Sequence, residues 1–366
     1  MAERRVARKK RTTLKDIAEM AGVSINTASA VLNPRSIPIR VTPETREKVE
    51  EAARKLDYRR NVAASLLAGG ANRVLGILSD RMTNLVVSPV IGSFMQEAVT
   101  HGYQCFIGCT QNEGARKFEH LQRFLEHGID GILMTDIWRD PEIDSQMEAL
   151  LKTETPVVFF DYRWRDYPAP LVSGDHYGGG RLLTRHLVEV GHRRLAYLAR
   201  SHQLDHPPIK GRIQGARDVL REAALPDVEL LVSSSSDPDA LAACVAQALT
   251  TDHRPTAVMV SNDHYAYALI AGLNRAGYEV PRDVAVTGFD DLTRAIQLGL
   301  EFPEGVGVPG ALGLTTVRQP FDAMGKKGAD LLVEAINEKA PQSMTTHMFD
   351  VDLIVRSTCQ LPKGTS

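Results

Sequence analysis

The chain has 366 residues, 43% of them apolar and 24% charged, which suits two or three globular domains and excludes a disordered or low-complexity polypeptide. No apolar run reaches the ~18 residues of a membrane span, and the charged N-terminus has no apolar signal-peptide core, so neither a spanning nor an exported protein is expected. The net charge of -2 conceals an asymmetry: residues 1–60 hold 15 Lys+Arg against 8 Asp+Glu, a net of +7, whereas the other 306 residues hold 28 against 37, a net of -9.

A compact basic end on an acidic body reads as a module for a polyanion carried by a body that is not one. Residues 1–11 form a basic arm. Residues 12–60 read as three short helices. Thr13 and Asp16 have the spacing of a capping box and open a helix from about Leu14 to Met20. Ala21-Gly22-Val23 is a tight turn, and Ser24 caps a second helix, Ile25 to Leu32, which Asn33-Pro34 ends. Thr42 caps a third, with Pro43 in its first turn and Val49, Ala52, Ala53 and Leu56 on its apolar face.

Two short helices joined by a glycine turn make a helix-turn-helix, whose second helix enters the major groove of DNA. Ser24, Ile25, Asn26, Thr27, Ser29, Ala30 and Asn33 would line that helix. Hydroxyl and amide side chains suit phosphate oxygens, and Asn26 has the chemistry to read a base. Thr13, Lys15, Tyr58 and Asn61 complete the expected DNA-contacting set. A plain three-helix bundle would also show a polar second helix, but it would not need the basic arm. Residues 61–72 follow as a linker with about two turns of helix-prone sequence, too short to be helical alone in water.

From Arg73 the pattern alternates. Strands are expected at Val74–Leu78, Cys105–Gly108, Gly131–Thr135, Pro156–Phe160, Leu195–Ala199, Ala257–Ser261 and Val284–Gly288. Helices are expected at Pro89–His101, Arg116–His127, Glu142–Lys152, Gly180–Val190, Arg212–Ala223, Asp239–Leu249 and His264–Ala276. Apolar strands alternating with amphipathic helices imply parallel sheets covered on both faces, here two Rossmann-like lobes with a ligand cleft at the carboxyl ends of the strands. The expected fold is therefore an all-α headpiece on an α/β body.

The run from Thr13 to Asn33, and Val41-Thr-Pro-Glu-Thr-Arg-Glu-Lys-Val with Leu56-Asp-Tyr58, resemble the headpiece of the LacI/GalR repressor family. His186-Leu-Val-Glu-Val-Gly-His-Arg-Arg-Leu195, Ser261-Asn-Asp263, Val286-Thr-Gly-Phe-Asp-Asp291 and Leu314-Thr-Thr-Val-Arg-Gln-Pro320 resemble the periplasmic-binding-protein-like core of the same family. The resemblance implies a transcriptional regulator, most often a repressor. It would be a homodimer on a near-palindromic double-stranded operator, under the control of a small-molecule effector. It further implies that the hinge helices of two subunits pair in the minor groove with Leu67 as the wedge. It implies a body at 73–358, with one lobe at about 73–172 and 312–339 and the other at about 173–311 and 340–358.

Two departures stand out. Apolar Ile25 and Ala30 replace residues that family members use on DNA, which shifts the expected contacts towards thymine methyl groups. The Gly/Pro-rich segment Gly299–Gly313 is longer than expected.

Asp161, Arg212, Asn262 and Asp290 match the positions at which the family holds its effector, and Asp80 and Trp138 extend the set. Carboxylates, a guanidinium and an amide facing one cleft suit vicinal hydroxyls. A sugar or sugar derivative is the leading effector class, with a nucleoside or purine as the alternative. Trp164 and Tyr265 are candidates to stack on a ring, and Asp263 reads as a helix cap.

An enzyme is the first rival reading. There is no Gly-x-Gly-x-x-Gly, no P-loop and no Gly-x-Ser-x-Gly. Gly178-Gly179-Gly180 reads as a loose helix start. His202 and His206 lack the glutamate of a zinc-protease motif, and Pro207-Pro208 argue against a helix there. No catalytic group, metal or cofactor is expected. A transport-type binding protein is the second rival, and the headpiece argues against it. Four scattered cysteines, Cys105, Cys109, Cys244 and Cys359, suit a reducing interior, so the expected location is the cytoplasm.

Overall fold

A computed structural model describes residues 12–32, 41–58, 72–82, 84–111, 113–135, 147–150, 152–164, 166–292, 313–338 and 342–361. Asn33, Asn61, Leu67 and Trp138 lie outside the described residues, as do the arm, most of the hinge and the Gly/Pro-rich segment up to residue 312. The chain divides into two units, Met1–Asn72 and Arg73–Ser366.

The first unit holds α1 (Leu14–Ala21), α2 (Ile25–Leu32) and α3 (Pro43–Lys55). Each start is set by a side chain. At α1 the Asp16 N–H donates to Thr13 Oγ1 (3.4 Å) and the Thr13 N–H donates to the Asp16 carboxylate (2.7 Å), so two orphan donors are satisfied reciprocally. Gly22 ends α1 with a φ of 66° that would strain a side-chain-bearing residue. Ser24 Oγ accepts from the Thr27 N–H at 3.1 Å to open α2, and Thr42 Oγ1 accepts from the Thr45 N–H at 3.3 Å to open α3. Ile17, Ala18, Ala28, Val31, Val49 and Ala52 form the buried core, with Leu56 and Tyr58 packed against it. A fully buried Ile or Val contributes about 1.5–3 kcal/mol, so these few residues carry the unit.

The second unit opens with β1 (Val74–Ser79), α4 (Val87–Thr100), β2 (Gln104–Cys109), α5 (Gly114–Glu126), β3 (Gly131–Met134), β4 (Val157–Phe160) and β5 (Leu171–Gly174). It continues with α6 (His176–Val190), β6 (Leu195–Arg200), α7 (Pro207–Glu222), β7 (Glu229–Ser233), α8 (Pro238–Leu249), β8 (Ala257–Val260), α9 (Asp263–Arg275) and β9 (Ala285–Thr287). It closes with β10 (Thr316–Arg318), α10 (Phe321–Glu338), β11 (Thr346–Phe349) and β12 (Asp352–Ile354). Residues 147–150 are helical, the described part of the helix expected at Glu142–Lys152. No helix among the described residues is long and apolar enough to cross a membrane.

Lobe one is a six-stranded parallel sheet ordered β11-β5-β4-β3-β1-β2, and lobe two a four-stranded parallel sheet ordered β7-β6-β8-β9. Strands β1, β3 and β4 are buried along their whole length, as strands covered on both faces must be. Strand β10 pairs antiparallel with β12 and bridges to the β9 side of lobe two through Thr287–Thr315 and Asp290–Arg318.

Strand pairing corrects the expected lobe boundaries. The segment 312–339 is split, because β10 joins lobe two while α10 packs on α4, β3 and β4 of lobe one. The segment 340–358 is split as well, because β11 pairs with β5 of lobe one before β12 returns to lobe two. The chain thus crosses between lobes three times, after β5, after β10 and after β11.

Two helix starts also move. Helix α6 begins at His176, not Gly180, because Asp175 caps it by accepting from the Gly178 N–H at 2.7 Å. Helix α7 begins at Pro207, since prolines in a first turn lack only a donor that the helix does not use.

Candidate functional site

The headpiece presents its chemistry on the N-terminal half of α2. Ser24, Ile25 and Asn26 are exposed, and Thr27 and Ser29 are partly so. Ile25 is about half exposed, at 49%. Ala30, expected in the DNA-facing set, is buried among the described residues of the unit. Ala28 and Val31, three residues apart, share the inward face of α2, whereas Ala30 follows the exposed Asn26 by four residues on the same side of the helix. Thr13 and Lys15 are exposed on α1, where Thr13 is the capping residue, and Tyr58 is half-buried against the core.

In the body, a cleft of about 620 Å³ runs between the lobes at the carboxyl ends of the strands. Asp80 follows β1 and Asp161 follows β4; Asn262 follows β8 and Asp290 follows β9; Arg212 projects from α7. All five line the cleft, with Phe160, Tyr162, Ile209 and Tyr265 among its apolar and aromatic walls.

Two of the carboxylates sit on strained backbone. Asp161 has φ 64° and Asp290 φ 106°, conformations that cost on the order of 1–3 kcal/mol each for a residue with a side chain. Backbone bonds hold both: the Asp161 N–H donates to Val172 O (2.9 Å) and the Asp290 N–H to Val317 O (2.7 Å).

Arg212 is the hub. Its guanidinium lies 3.5 Å above the Phe289 ring, donates to Ser261 O and to His176 Nδ1 (3.2 Å), and stands 3.6 Å from Asp290. Arginine can only donate, so His176 Nδ1 is the bare nitrogen and its Nε2–H donates to Asp161 Oδ1 at 3.0 Å. Gln319 Nε2 donates to Asp290 Oδ1 at 2.7 Å. Burial pushes the Asp290 carboxyl above its ordinary range, and Arg212 beside it pulls back. The result is a continuous chain, Asp161–His176–Arg212–Asp290–Gln319, linking lobe one, lobe two and the second crossing.

Sequence reasoning missed His176, Gln319, Phe289 and Arg200. His176 fell in what read as loop because β5 went unnoticed. Gln319 lies far from the rest in sequence, and only the crossing brings it in.

Asp263, expected as a helix cap, is not one: Asn262 caps α9, its Oδ1 accepting from the Tyr265 N–H at 3.0 Å. Fully buried, Asp263 accepts from Thr316 Oγ1 (2.6 Å) and from the Leu292 N–H (2.7 Å), and burial drives its carboxyl well above the usual range. Trp164 is corrected from ring-stacking candidate to core: it is buried against Tyr167, outside the cleft. The glycine run is a packing surface. A Cβ on Gly180 would strike Arg212 O, and one on Gly215 would strike Tyr177 O, so α6 and α7 touch backbone to backbone. His202 and His206 line the cleft. Among the described residues the group placed to share a metal ion is instead Glu97, His101 and Asp330.

A model of bacterial regulatory proteins of the lacI family matches residues 13–61, and one of periplasmic binding protein-like domains matches 184–359. The ribose operon repressor of Bacillus subtilis is 32% identical over 347 residues, covering 94% of this chain and 98% of that protein. The repressor PurR of Vibrio cholerae is 30% identical, covering 94% and 97%.

The chain belongs to the lacI family.

Solved structures agree. The Lac repressor dimer bound to operator and the anti-inducer ONPF matches with a TM-score of 0.77 at 25% identity, over 96% of this chain and 100% of that one. The regulator CelR in complex with cellobiose matches with a TM-score of 0.64 at 26% identity, over 95% and 100%. As a lacI-family protein the chain is a DNA-binding regulator rather than an enzyme, with the headpiece as its DNA-binding module and the two-lobed body as its effector-controlled part.

Proposed function

We propose that this regulator is a homodimeric repressor of a near-palindromic operator, that it works in the cytoplasm, and that a sugar or sugar derivative in the interlobe cleft controls it. One observation carries the effector assignment: Asp161 from lobe one and Arg212, Asn262 and Asp290 from lobe two converge on a single cleft large enough for a small molecule. Alternating donors and acceptors of this kind suit adjacent hydroxyls.

The dimer reading draws support from two sheet edges. Strand β2 borders lobe one with Phe106 exposed, and β7 borders lobe two with Leu230 and Val232 exposed. Exposed apolar edge strands invite a second copy. Ser24, Ile25, Asn26, Thr27 and Ser29 would face the major groove. Residues 61–72, with Asn61 and Leu67, would form the paired hinge.

A nucleoside or purine is the second reading, favoured by the tilted Tyr162–His206 ring pair (centroids 5.7 Å apart) beside Tyr265 in the cleft wall.

Selection of genomic fragments by the purified protein tests the reading. Recovery of one short near-palindrome, with affinity falling steeply as salt rises, is expected. Failure to enrich any sequence, with and without added metabolites, would refute it.

A further inference from the structure

The charges of the cleft are unevenly answered. Asp161 already receives the His176 N–H, and Asp290 is paired with Arg212 and receives Gln319. The acidic end is therefore supplied with donors from the protein itself. The opposite corner is held by Arg200, the last residue of the central strand β6. Among the described residues no carboxylate stands within ion-pair distance of it. Its Nη1 donates to Tyr265 Oη at 3.3 Å, and its buried Nε has no acceptor among the described residues.

Among the described residues its surroundings offer it no counter-charge. Gln203 Oε1 is engaged by the Arg200 N–H and the Ser261 hydroxyl. The remaining neighbours along the wall, His202, His206, Asn262 and Tyr265, are neutral groups or further donors. Burial, followed by the Arg200 charge, holds the His202 ring below its usual value, and burial followed by His202 lowers His206 to about 4. Arg81, exposed on the lobe-one side of the same cleft, adds a second cation. A guanidinium left short of acceptors in a partly dry cleft costs free energy that an acceptor anion removes.

We propose that this corner receives an anionic group of the effector, a carboxylate or phosphate on a hydroxylated carbon skeleton, with Arg200 as its counter-ion. The hydroxyls then reach towards Asp161 and Asn262. This assignment rests on the effector reading above and narrows it from sugars in general to sugar acids and phosphorylated sugars.

The test uses the full-length protein and a metabolite extract of its host, split by an anion exchanger into retained and flow-through fractions. Each fraction is titrated against the thermal midpoint of the wild type, Arg200→Gln and Arg200→Lys. The retained fraction should raise the midpoint. Arg200→Gln should require at least about tenfold more of it, the weight of one charge-assisted hydrogen bond, and Arg200→Lys should need less than Arg200→Gln. Phosphatase treatment assigns the anion: lost activity means a phosphate ester, retained activity a carboxylate. A response confined to the flow-through, or one that Arg200→Gln leaves unchanged, overturns the anion site and leaves the effector reading standing. No response to either fraction overturns the effector reading itself. Should Arg200→Gln fail to fold, the distribution between fractions decides alone.

Discussion

Single residues in the cleft carry opposing demands of burial and charge. Histidine 206 shows the consequence for pH. Its folded-state value is depressed to about 4, first by burial and then by His202, so the folded protein holds it neutral where the unfolded chain takes up a proton near 6.5. The unfolded state thus binds more protons between these values. Stability should be full above about pH 6.5, decline as pH falls towards 4, and lose nothing further from this group below that. Urea melts at pH 7 and pH 5 should show the decline, and His206→Asn should flatten it; an unchanged slope in the variant would refute the assignment. Thr316 makes a second test. Thr316→Val strips one donor from the buried Asp263 carboxylate and should cost about 1–3 kcal/mol of unfolding free energy in the same melts. Of the cleft residues, Asp80, Asp161, Asn262 and Asp290 were legible in the sequence because each follows a strand, and Arg212, inside α7, because its position matches the family's. His176 and Gln319 were not, because nothing local marks them: one helix cap and one crossing place them.

Burial made many elements legible but not all: β5 is buried and went unnoticed, whereas β2, a half-exposed edge, was expected. Strands β1, β3, β4, β6 and β8 announce themselves as apolar runs, since both faces are covered. Strand β7 hides because it is a sheet edge, with Leu230 and Val232 outward and charged Glu229 at its start. Strand β11 hides for the same reason, alternating exposed and half-buried. Helix α10 has apolar residues at helical spacing, but Gly325 and Gly328 in its middle disguise it. Gly325 is needed there because a Cβ would strike Val90 O of α4. The α6–α7 contact is likewise a matter of missing side chains, and it sets where Arg212 stands. Gly180→Ala should force the helices apart, cost about 1–3 kcal/mol as an overpacked core does, and weaken effector binding through the displaced guanidinium. Denaturant melts and effector titration would check both; a variant with wild-type stability and wild-type affinity would show that the contact is slack.

At the scale of the whole molecule, regulation is a coupling between two sites. Operator DNA should change effector affinity by the same factor by which effector changes operator affinity, and calorimetric titration with and without operator would measure it. Identical effector affinities in the two titrations would remove the coupling. The chain passes between the lobes three times, so a change in the angle between them has to be taken up at those crossings.

The same interleaving has a consequence for how the protein is made. The headpiece is complete once residue 58 has emerged, whereas lobe one lacks its edge strand until Thr346–Phe349 have been translated. At about 5–20 residues per second, that leaves roughly 15–60 s in which a nascent chain carries a finished DNA reader and an unfinished sensor. A premature stop anywhere between would release such a chain permanently. In the proposed dimer, pairing through the bodies would guard against this, because a lone headpiece would grip only half an operator and a truncated product would be weak on DNA before any protease removed it.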